Sequence, residues 1–463
     1  DKDGRLLAKD MHSYSNQGAY ASHGHAIAAN GLTSWRLQYA CPNIRGEAYT
    51  IYTNTPVGGA MRGYGIPQVC FAIESFMDDV ANEIHMDPLE FRRKNLIQGY
   101  YEDAYLKPIA ANTNGIFECL EKGAEYIHWD EKRKEYAEQT GDVRKGVGMA
   151  LFSYKTGVWP ISLEIAGARL SLNQDGSVQL MLGATEIGQG ADTVFSQMVA
   201  ETLHTDMEHV HIKTVQDTDV SPFDTGAYAS RQSFVTGTAV RHCAEILRDK
   251  ILAYAKTLLP EIDTRELTLK DNWIWAGDEQ VISLAALAEE SYYSLTNSSV
   301  LTAEVSEQVK KNTIATGCCF AEVEVDIKLG KIKILHIINV HDSGKLLNPQ
   351  LAEMQVHGGM SMGMGYGISE QLILDEKTGR PLNGNLLDYK LMTMLDTPDI
   401  KADFVELCDP MGPYGNKALG EPPAIPCAPA IRNAVLHATG VAFYENPLTP
   451  QRLIDGFQKA GLI

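Results

Sequence analysis

The sequence predicts an α+β protein whose strands and helices are interleaved without a strict βαβ rhythm. Three observations carry that reading. Ala321, Val323, Val325 and Ile327 alternate with Glu322, Glu324, Asp326 and Lys328, the two-residue period of a half-buried strand. Val69, Ile73, Phe76, Met77, Val80 and Ile84 recur at the spacing of one helix face. The chain has 463 residues, 44% hydrophobic and 21% charged, enough for a large core and about two to three domains.

Each element follows in order. Residues 1–56 read as strands and loops rich in Gly, Tyr, Ser and His. A glycine-dense loop at 58–65 precedes the helix through 69–84. Asp87-Pro88 opens a second helix, with proline in its first turn. The stretch from about 100 to 140 reads as helical and polar, and a boundary there divides the chain into residues 1–118 and 119–463. Strands dominate from Gly146. Asn173-Gln174-Asp175-Gly176 is a hairpin turn between 168–172 and 178–182. A second glycine loop, 183–190, leads into a helix carrying Val194, Phe195, Met198, Val199 and Leu203. A long helix spans about 233–258. Leu329-Gly330 turns the alternating strand into another at 331–340. Asn348-Pro349 starts a helix containing Gly358, Gly359, Ser361, Gly363 and Gly365, small residues that admit either a neighbouring backbone or a cofactor. Pro422-Pro423 precedes a last helix at about 428–438.

Charge and cysteine usage narrow the function classes. Asp and Glu total 59 against 40 Lys and Arg, a net charge of −19, which disfavours nucleic acid as a partner. No apolar run reaches membrane-spanning length. The eight cysteines form no C-x-x-C pair, against zinc ribbons and cysteine-ligated iron–sulfur clusters. They read as small buried residues of a protein from a reducing compartment. Residues 1–5 read as a turn, as if from partway through a longer polypeptide.

Four glycine-rich loops recur far apart, at 58–65, 183–190, 224–231 and 415–421, each placed before a helix and each holding a functional polar residue: Arg62, Gln189, Ser230 and Glu421. Glycine loops and helix starts present backbone N–H groups suited to anions and large polar cofactors, so one composite cofactor pocket is expected. Glu421 stands between Gly420 and two rigid prolines. A carboxylate fixed in such a turn suits a general base, though an exposed loop glutamate or a capping partner fits the pattern too. His23 and His25 lack an H-E-x-x-H context and read as polar loop residues; His341-Asp342-Ser343 reads as a strand end. No side-chain metal site, P-loop or nucleophile elbow is visible.

At these loops the sequence resembles the xanthine dehydrogenase/aldehyde oxidase family of molybdenum hydroxylases. The resembling stretches are Ala60-Met61-Arg62-Gly63-Tyr64-Gly65-Ile66-Pro67-Gln68, Gly183-Ala184-Thr185-Glu186-Ile187-Gly188-Gln189-Gly190 and Lys417-Ala418-Leu419-Gly420-Glu421-Pro422-Pro423. They keep the family's order, and the likeness runs along the whole chain, nearest to the molybdenum-binding subunits of bacterial xanthine dehydrogenases. It implies two elongated domains sandwiching a molybdopterin cofactor, possessed in some members as the cytosine dinucleotide form. The metal is then held by the cofactor's dithiolene and not by side chains. It implies Glu421 as the base and Arg62 beside the metal as catalytic residues, and Tyr64 and Trp159 as aromatic walls for the substrate. Gly63, Gly188, Gln189, Gly226, Ala227, Ser230, Arg231, Gln355 and Gly420 are implied to bind the cofactor.

The implied activity is hydroxylation of a purine such as xanthine or hypoxanthine with oxygen from water, in the cytoplasm. Nicotinate or aldehyde hydroxylation and a non-catalytic, cofactor-cradling subunit are the alternatives. FAD and two-iron two-sulfur clusters are implied on partner subunits. The family's upstream glycine–phenylalanine loop is not in this sequence, so the resemblance implies either a fragment or one piece of a split molybdenum subunit with a second piece as partner. Ala28-Ala29-Asn30 lies in the region where animal xanthine oxidases carry an arginine, so either purine orientation uses other groups or the substrate differs. Gly63 stands where carbon monoxide dehydrogenases carry a copper-binding cysteine, against that branch.

Overall fold

The alternation at 321–327 forms the strand Ile314–Asp326, antiparallel to Val143–Lys155 on one side and to Lys331–Asp342 on the other. Asp399–Phe404 adds a parallel edge strand, giving the order 399–404, 331–342, 314–326, 143–155. The computed structural model describes residues 1–102, 108–110, 113–213, 216–263 and 266–463. The expected half-buried strand proves buried on both faces. Cys319, Ala321, Val323 and Val325 join a core with helices Pro349–Ile368, Cys427–Thr439 and Pro450–Lys459. Cys318 and Phe320 point the other way, among Leu89, Phe91, Leu120 and Trp129. Glu322 is buried on that second face because Lys132 Nζ (2.6 Å) and the Tyr136 hydroxyl (2.8 Å) donate to its carboxylate.

A second four-stranded sheet orders Thr302–Gln308, Ile165–Leu172, Val178–Leu182 and Val210–Ile212, the last pair parallel. Helices Ala191–Leu203, Gly237–Leu258 and Leu284–Tyr293 cover it, and Leu267, Leu269 and Ile274 of a three-stranded antiparallel sheet join the same core. The expected turn at 173–176 connects its central strands. Helices at Ile66–Glu83, Pro88–Asn95, Ala191–Leu203, Gly237–Leu258, Pro349–Ile368 and Cys427–Thr439 agree with the sequence reading. The Asp87 carboxylate caps the second by accepting from the backbone of Leu89 (2.9 Å) and Glu90 (3.2 Å).

Two stretches differ from expectation. Residues 1–56 contain a helix, Gly24–Ser34, crossing between the parallel strands Ala8–Gly18 and Asn43–Tyr52. Its buried face is Gly24, Ala28, Gly31 and Ser34, small residues that give no apolar stripe. A Cβ on Gly31 would come within 2.9 Å of Val69 Cγ2, so close packing on helix Ile66–Glu83 explains the small residues. The polar stretch near 100–140 is only partly helical: Tyr100–Glu102 pairs with Pro108–Ala110, and helices Ile116–Ile127 and Trp129–Glu135 follow. Residues 103–107 and 111–112 of that stretch lie outside the described residues. The expected boundary at 118/119 falls inside helix Ile116–Ile127, whose Cys119 and Leu120 share a core with Met77, Phe91 and Phe320.

Buried ion pairs tie these layers together. The Arg92 guanidinium donates to Glu74 (2.8 Å) and Asp78 (2.5 Å), all three fully buried or nearly so. The other Glu74 oxygen accepts from Gln38 and Tyr39, and the Leu151 N–H donates to Glu74 Oε2 at 3.0 Å, fixing the strand Val143–Lys155. Arg432 reaches from the Cys427–Thr439 helix to Asp79 at 2.8 Å. All the cysteines except Cys408 are buried.

Candidate active site

Hydrogen bonds link the four glycine loops to one another. Arg62 Nε donates to the Gly420 carbonyl at 2.6 Å, joining the first loop to the last. The Ser230 hydroxyl donates to Glu421 Oε2 at 3.2 Å, and the Glu421 N–H donates back to Ser230 Oγ at 3.0 Å, joining third to last. Gln189 Nε2 donates to Gln232 Oε1 at 2.6 Å, joining the second loop to the helix start after the third. Residues 358 positions apart in sequence thereby meet.

The chain places Glu421 by anchoring both sides of its loop. Before it, the buried Lys417 ammonium pairs with buried Asp342 at 2.6 Å, and the Ala418 N–H donates to Thr156 Oγ1 at 3.0 Å. After it, Asn339 Nδ2 donates to the Pro423 carbonyl at 2.9 Å. The carboxylate itself accepts from the Tyr154 hydroxyl and Ser230 on Oε2, and from the Gly63 N–H at 3.4 Å on Oε1. Burial, and then the Glu421 charge, push the Tyr154 phenol well above its ordinary pKa, so Tyr154 is a donor.

Arg62 lies beside Glu421 without forming a direct ion pair with it. Its NH2 donates to the Gln355 carbonyl at 3.0 Å and to Gln355 Oε1 at 3.4 Å. Burial lowers its pKa and the neighbouring Glu421 carboxylate works against that, so the guanidinium stays charged. Gly63 holds φ at +92°, and a Cβ there would meet the Pro67 ring at 2.7 Å. Tyr64 is half-buried with φ at 50°; its hydroxyl bonds to His23 Nδ1 at 2.7 Å and its carbonyl accepts from Asn30. His23 thus braces the first loop.

The second loop departs from expectation in its backbone. The Glu186 carboxylate accepts from the N–H groups of Gly188 (2.7 Å), Gly190 (3.1 Å) and Asp192 (3.1 Å). Partial burial pushes its pKa up, but these N–H groups outweigh that and bring it below the usual carboxylate range. An internal anion therefore takes the helix start that the sequence reading left free for a ligand. Gln189 is likewise engaged, accepting from Ile187 N–H at 2.7 Å and donating to the Thr185 carbonyl.

Arg231 differs too. It is fully buried and donates to Glu164 (2.5 Å), Asp224 (2.6 Å) and the carbonyls of Gly226 and Ile165. Those contacts make it a brace that shapes the third loop, with Gly226, exposed Ala227 and left-handed Ala229 and Ser230 along its rim. The contacts that fix Trp159 run to its carbonyl, from Lys155 Nζ and Asn312 Nδ2. The glycines of helix Pro349–Ile368 mostly serve close packing: a Cβ on Gly359 would meet Pro423 at 2.4 Å and one on Gly363 would meet Cys427 at 2.8 Å. Gly358 alone of that stripe faces Arg62, at 3.8 Å. A groove of about 790 Å³ lined by Gln197, His204 and Asp271 shares no residue with this cluster.

Sequence reasoning missed Tyr154, Lys417 with Asp342, and His341. His341 is fully buried between Phe152 (ring centroids 4.9 Å apart) and Phe404 (6.2 Å), with neither ring nitrogen partnered. Burial, with a further push from Arg62, lowers its pKa to about 3.

Several polar groups around the cluster are left for a bound molecule. Thr225 Oγ1 is buried without a partner. The Gln355 amide nitrogen has no acceptor among the described residues, and Arg62 NH1 meets only the Met362 thioether. Gly188 has open space where a Cβ would be. An amide, a hydroxyl and a guanidinium beside open glycine backbone suit a polar heterocycle with anionic groups. Among the described residues no three His, Cys, Asp or Glu side chains gather as a metal site.

Comparison with known proteins agrees with this geometry. Molybdopterin cofactor-binding domains match residues 122–398 and 1–96. The chain is 47% identical to the xanthine dehydrogenase molybdenum-binding subunit of Escherichia coli O157:H7, covering 100% of this chain and 62% of that subunit. It is 27% identical to the aldehyde oxidoreductase molybdenum-binding subunit of the same strain, covering 98% of this chain and 59% of that one. The crystal structure of quinoline 2-oxidoreductase from Pseudomonas putida 86 superposes with a TM-score of 0.90 at 24% identity, over 99% of this chain and 61% of that chain, and shows the same fold. These relatives hold in one polypeptide more than this chain spans, so a separate second fragment finds no support. No helix among the described residues is long and apolar enough to cross a membrane. Motif order, loop convergence and these matches agree: the chain belongs to the molybdopterin cofactor-binding family.

Proposed function

We propose that this chain is the cofactor-bearing part of a cytoplasmic molybdenum hydroxylase that oxidises a purine such as xanthine or hypoxanthine with oxygen from water. The observation that carries the reading is Glu421, a carboxylate held by hydroxyl groups where three of the glycine loops meet, with Arg62 beside it but not paired to it. The 47% identity to a xanthine dehydrogenase subunit supports a purine as substrate. A molybdopterin would be held through the Gln355 amide, the Thr225 hydroxyl, Ser230 and the backbone of Gly63, Gly226, Ala227 and Gly420, with the open face of Gly188 giving it room and Gln189 shaping that loop. When bound, that cofactor supplies a two-electron oxidant and a water-derived oxygen.

The chain's own residues supply the rest. Glu421 accepts a proton as a C–O bond forms at an electron-poor ring carbon. The partly buried Arg62 guanidinium faces the negative charge that builds on the ring. Tyr64 and Trp159 are the aromatic walls proposed for the ring. Partner subunits carrying FAD and two-iron two-sulfur clusters would take the electrons onward.

The test uses the full native assembly, purified without oxygen and checked for molybdenum. Xanthine should bleach its flavin and iron–sulfur absorbance, and Glu421→Gln should abolish the bleaching. A molybdenum-loaded assembly that xanthine does not bleach would refute the purine reading and direct the assay to nicotinate and aldehydes; failure with all three would favour a non-catalytic role.

A further inference from the structure

The two oxygens of Glu421 are unequal. Oε2 accepts from two hydroxyls, Tyr154 and Ser230, while Oε1 has only the Gly63 N–H at 3.4 Å, a long and weak contact. We propose that Tyr154 is a positioning residue for the base: with Ser230 it locks Oε2 and leaves Oε1 as the atom that takes the proton. The inference deepens the reading of Glu421 as base and rests on it.

Tyr154 suits the task by its place in the fold. It lies on Val143–Lys155, with the strand backbone fixed at Leu151 by the buried Glu74–Arg92–Asp78 network. Tyr154 is 3% exposed and packs with Ile66, Cys70, Phe152, Ala418 and Ile425, of which Ile66 follows the first loop and Ala418 belongs to the last. A buried phenol needs an acceptor, and many carbonyls could serve. Here the acceptor is the carboxylate in the Gly420-Glu421-Pro422 turn. Burial and the adjacent negative charge both raise the phenol's pKa, so the proton stays on Tyr154 and the contact is a donation at every working pH.

In the proton step the donor's O–H bond breaks, its electron pair remains on the donor oxygen, and a new O–H bond forms on Oε1. Oε2 keeps its two hydrogen bonds throughout. A carboxylate with one oxygen clamped cannot rotate to exchange its two oxygens, which keeps the accepting lone pair aimed in one direction.

The test compares Tyr154→Phe, Ser230→Ala and Glu421→Gln in the molybdenum-loaded assembly. One readout is independent of turnover: the infrared carboxylate band that Glu421→Gln removes. It should shift in Tyr154→Phe and shift less in Ser230→Ala, whose contact is 3.2 Å long. The other is the split between kcat and KM: Tyr154→Phe should lower kcat about tenfold with the KM for xanthine little changed, because the base is misaimed while the substrate site stays in place. An unmoved band in Tyr154→Phe overturns the proposal, as does an unchanged kcat when the band moves. If Tyr154→Phe failed to fold, an unmoved band in Ser230→Ala would overturn the locking of Oε2. Full turnover in Glu421→Gln is a different result: it removes the base itself.

Discussion

Lowering the pH should unfold this protein partly through one buried histidine. His341 has no exposed surface, both ring nitrogens lack partners, and aromatic rings flank it at 4.9 and 6.2 Å with the Arg62 charge nearby. Burial and then Arg62 lower its pKa to about 3. In the unfolded chain it would take a proton near pH 6.5. Between those two values the unfolded state binds a proton that the folded state refuses, so stability falls as the pH is lowered from about 6.5 toward 3. From pH 7 to pH 5 the loss attributable to this one group is about 2 kcal/mol. The variant His341→Phe keeps a ring between Phe152 and Phe404 and removes the titration. Urea unfolding of wild type and variant at pH 7 and pH 5 isolates the difference, because His437, with its pKa lowered to about 4 by burial and by Arg133, is common to both. Wild type should lose about 2 kcal/mol more than the variant over that range. Equal losses would mean that His341 finds a proton-sharing partner in the folded state, and the reasoning from its isolation would fail.

Two further outcomes follow from other parts of the fold. Arg92→Leu leaves the Glu74 and Asp78 carboxylates buried without their cation, and should cost about 3–5 kcal/mol in denaturant unfolding at neutral pH; a loss below about 1 kcal/mol would show that the network is hydrated. Gly190→Ala places a side chain on a residue at φ +86°, with its Cβ 2.6 Å from Leu351 Cδ1 on the helix that carries Gln355. It should destabilise by about 1–2 kcal/mol from the left-handed backbone alone, and an unchanged midpoint would refute the strain argument.

The parts of the fold that were legible in the sequence are those written in backbone chemistry. Glycine loops, Asp87-Pro88 and Asn348-Pro349 mark helix starts because few other residues suit those conformations, and the structure has helices at all three kinds of mark. The alternating strand was legible as a strand but not as a central one, because Glu322 keeps its charge by pairing with Lys132 and Tyr136 inside the protein. The helix Gly24–Ser34 was invisible because its contact face is made of small residues chosen for closeness. In the site, Arg62, Ser230 and Glu421 stand out by their glycine surroundings. Tyr154 does not: in a strand buried almost throughout its length its ring reads as core, and its hydroxyl gains meaning only once Glu421 arrives from 267 residues away.

The same distinction explains the two arginines that the sequence reading grouped with the site. Arg62 and Arg231 both lie in glycine loops, and nothing local separates them. The difference comes from what the fold brings within reach. Arg231 meets two buried carboxylates, Glu164 and Asp224, which neutralise it and spend its donors on the protein. Arg62 meets carbonyls, a glutamine and a thioether, which orient the guanidinium without neutralising it. A buried charge paired in this way shapes a loop, whereas one left without a counter-ion beside a base retains electrostatic work to do on a bound anion. By that criterion, replacing Arg231 should act on folding first and on turnover only through it. Replacing Arg62 with Gln should lower kcat while leaving the unfolding midpoint near that of wild type. A midpoint that falls together with kcat in the Arg62 variant would place both arginines in the same structural role and undo the distinction.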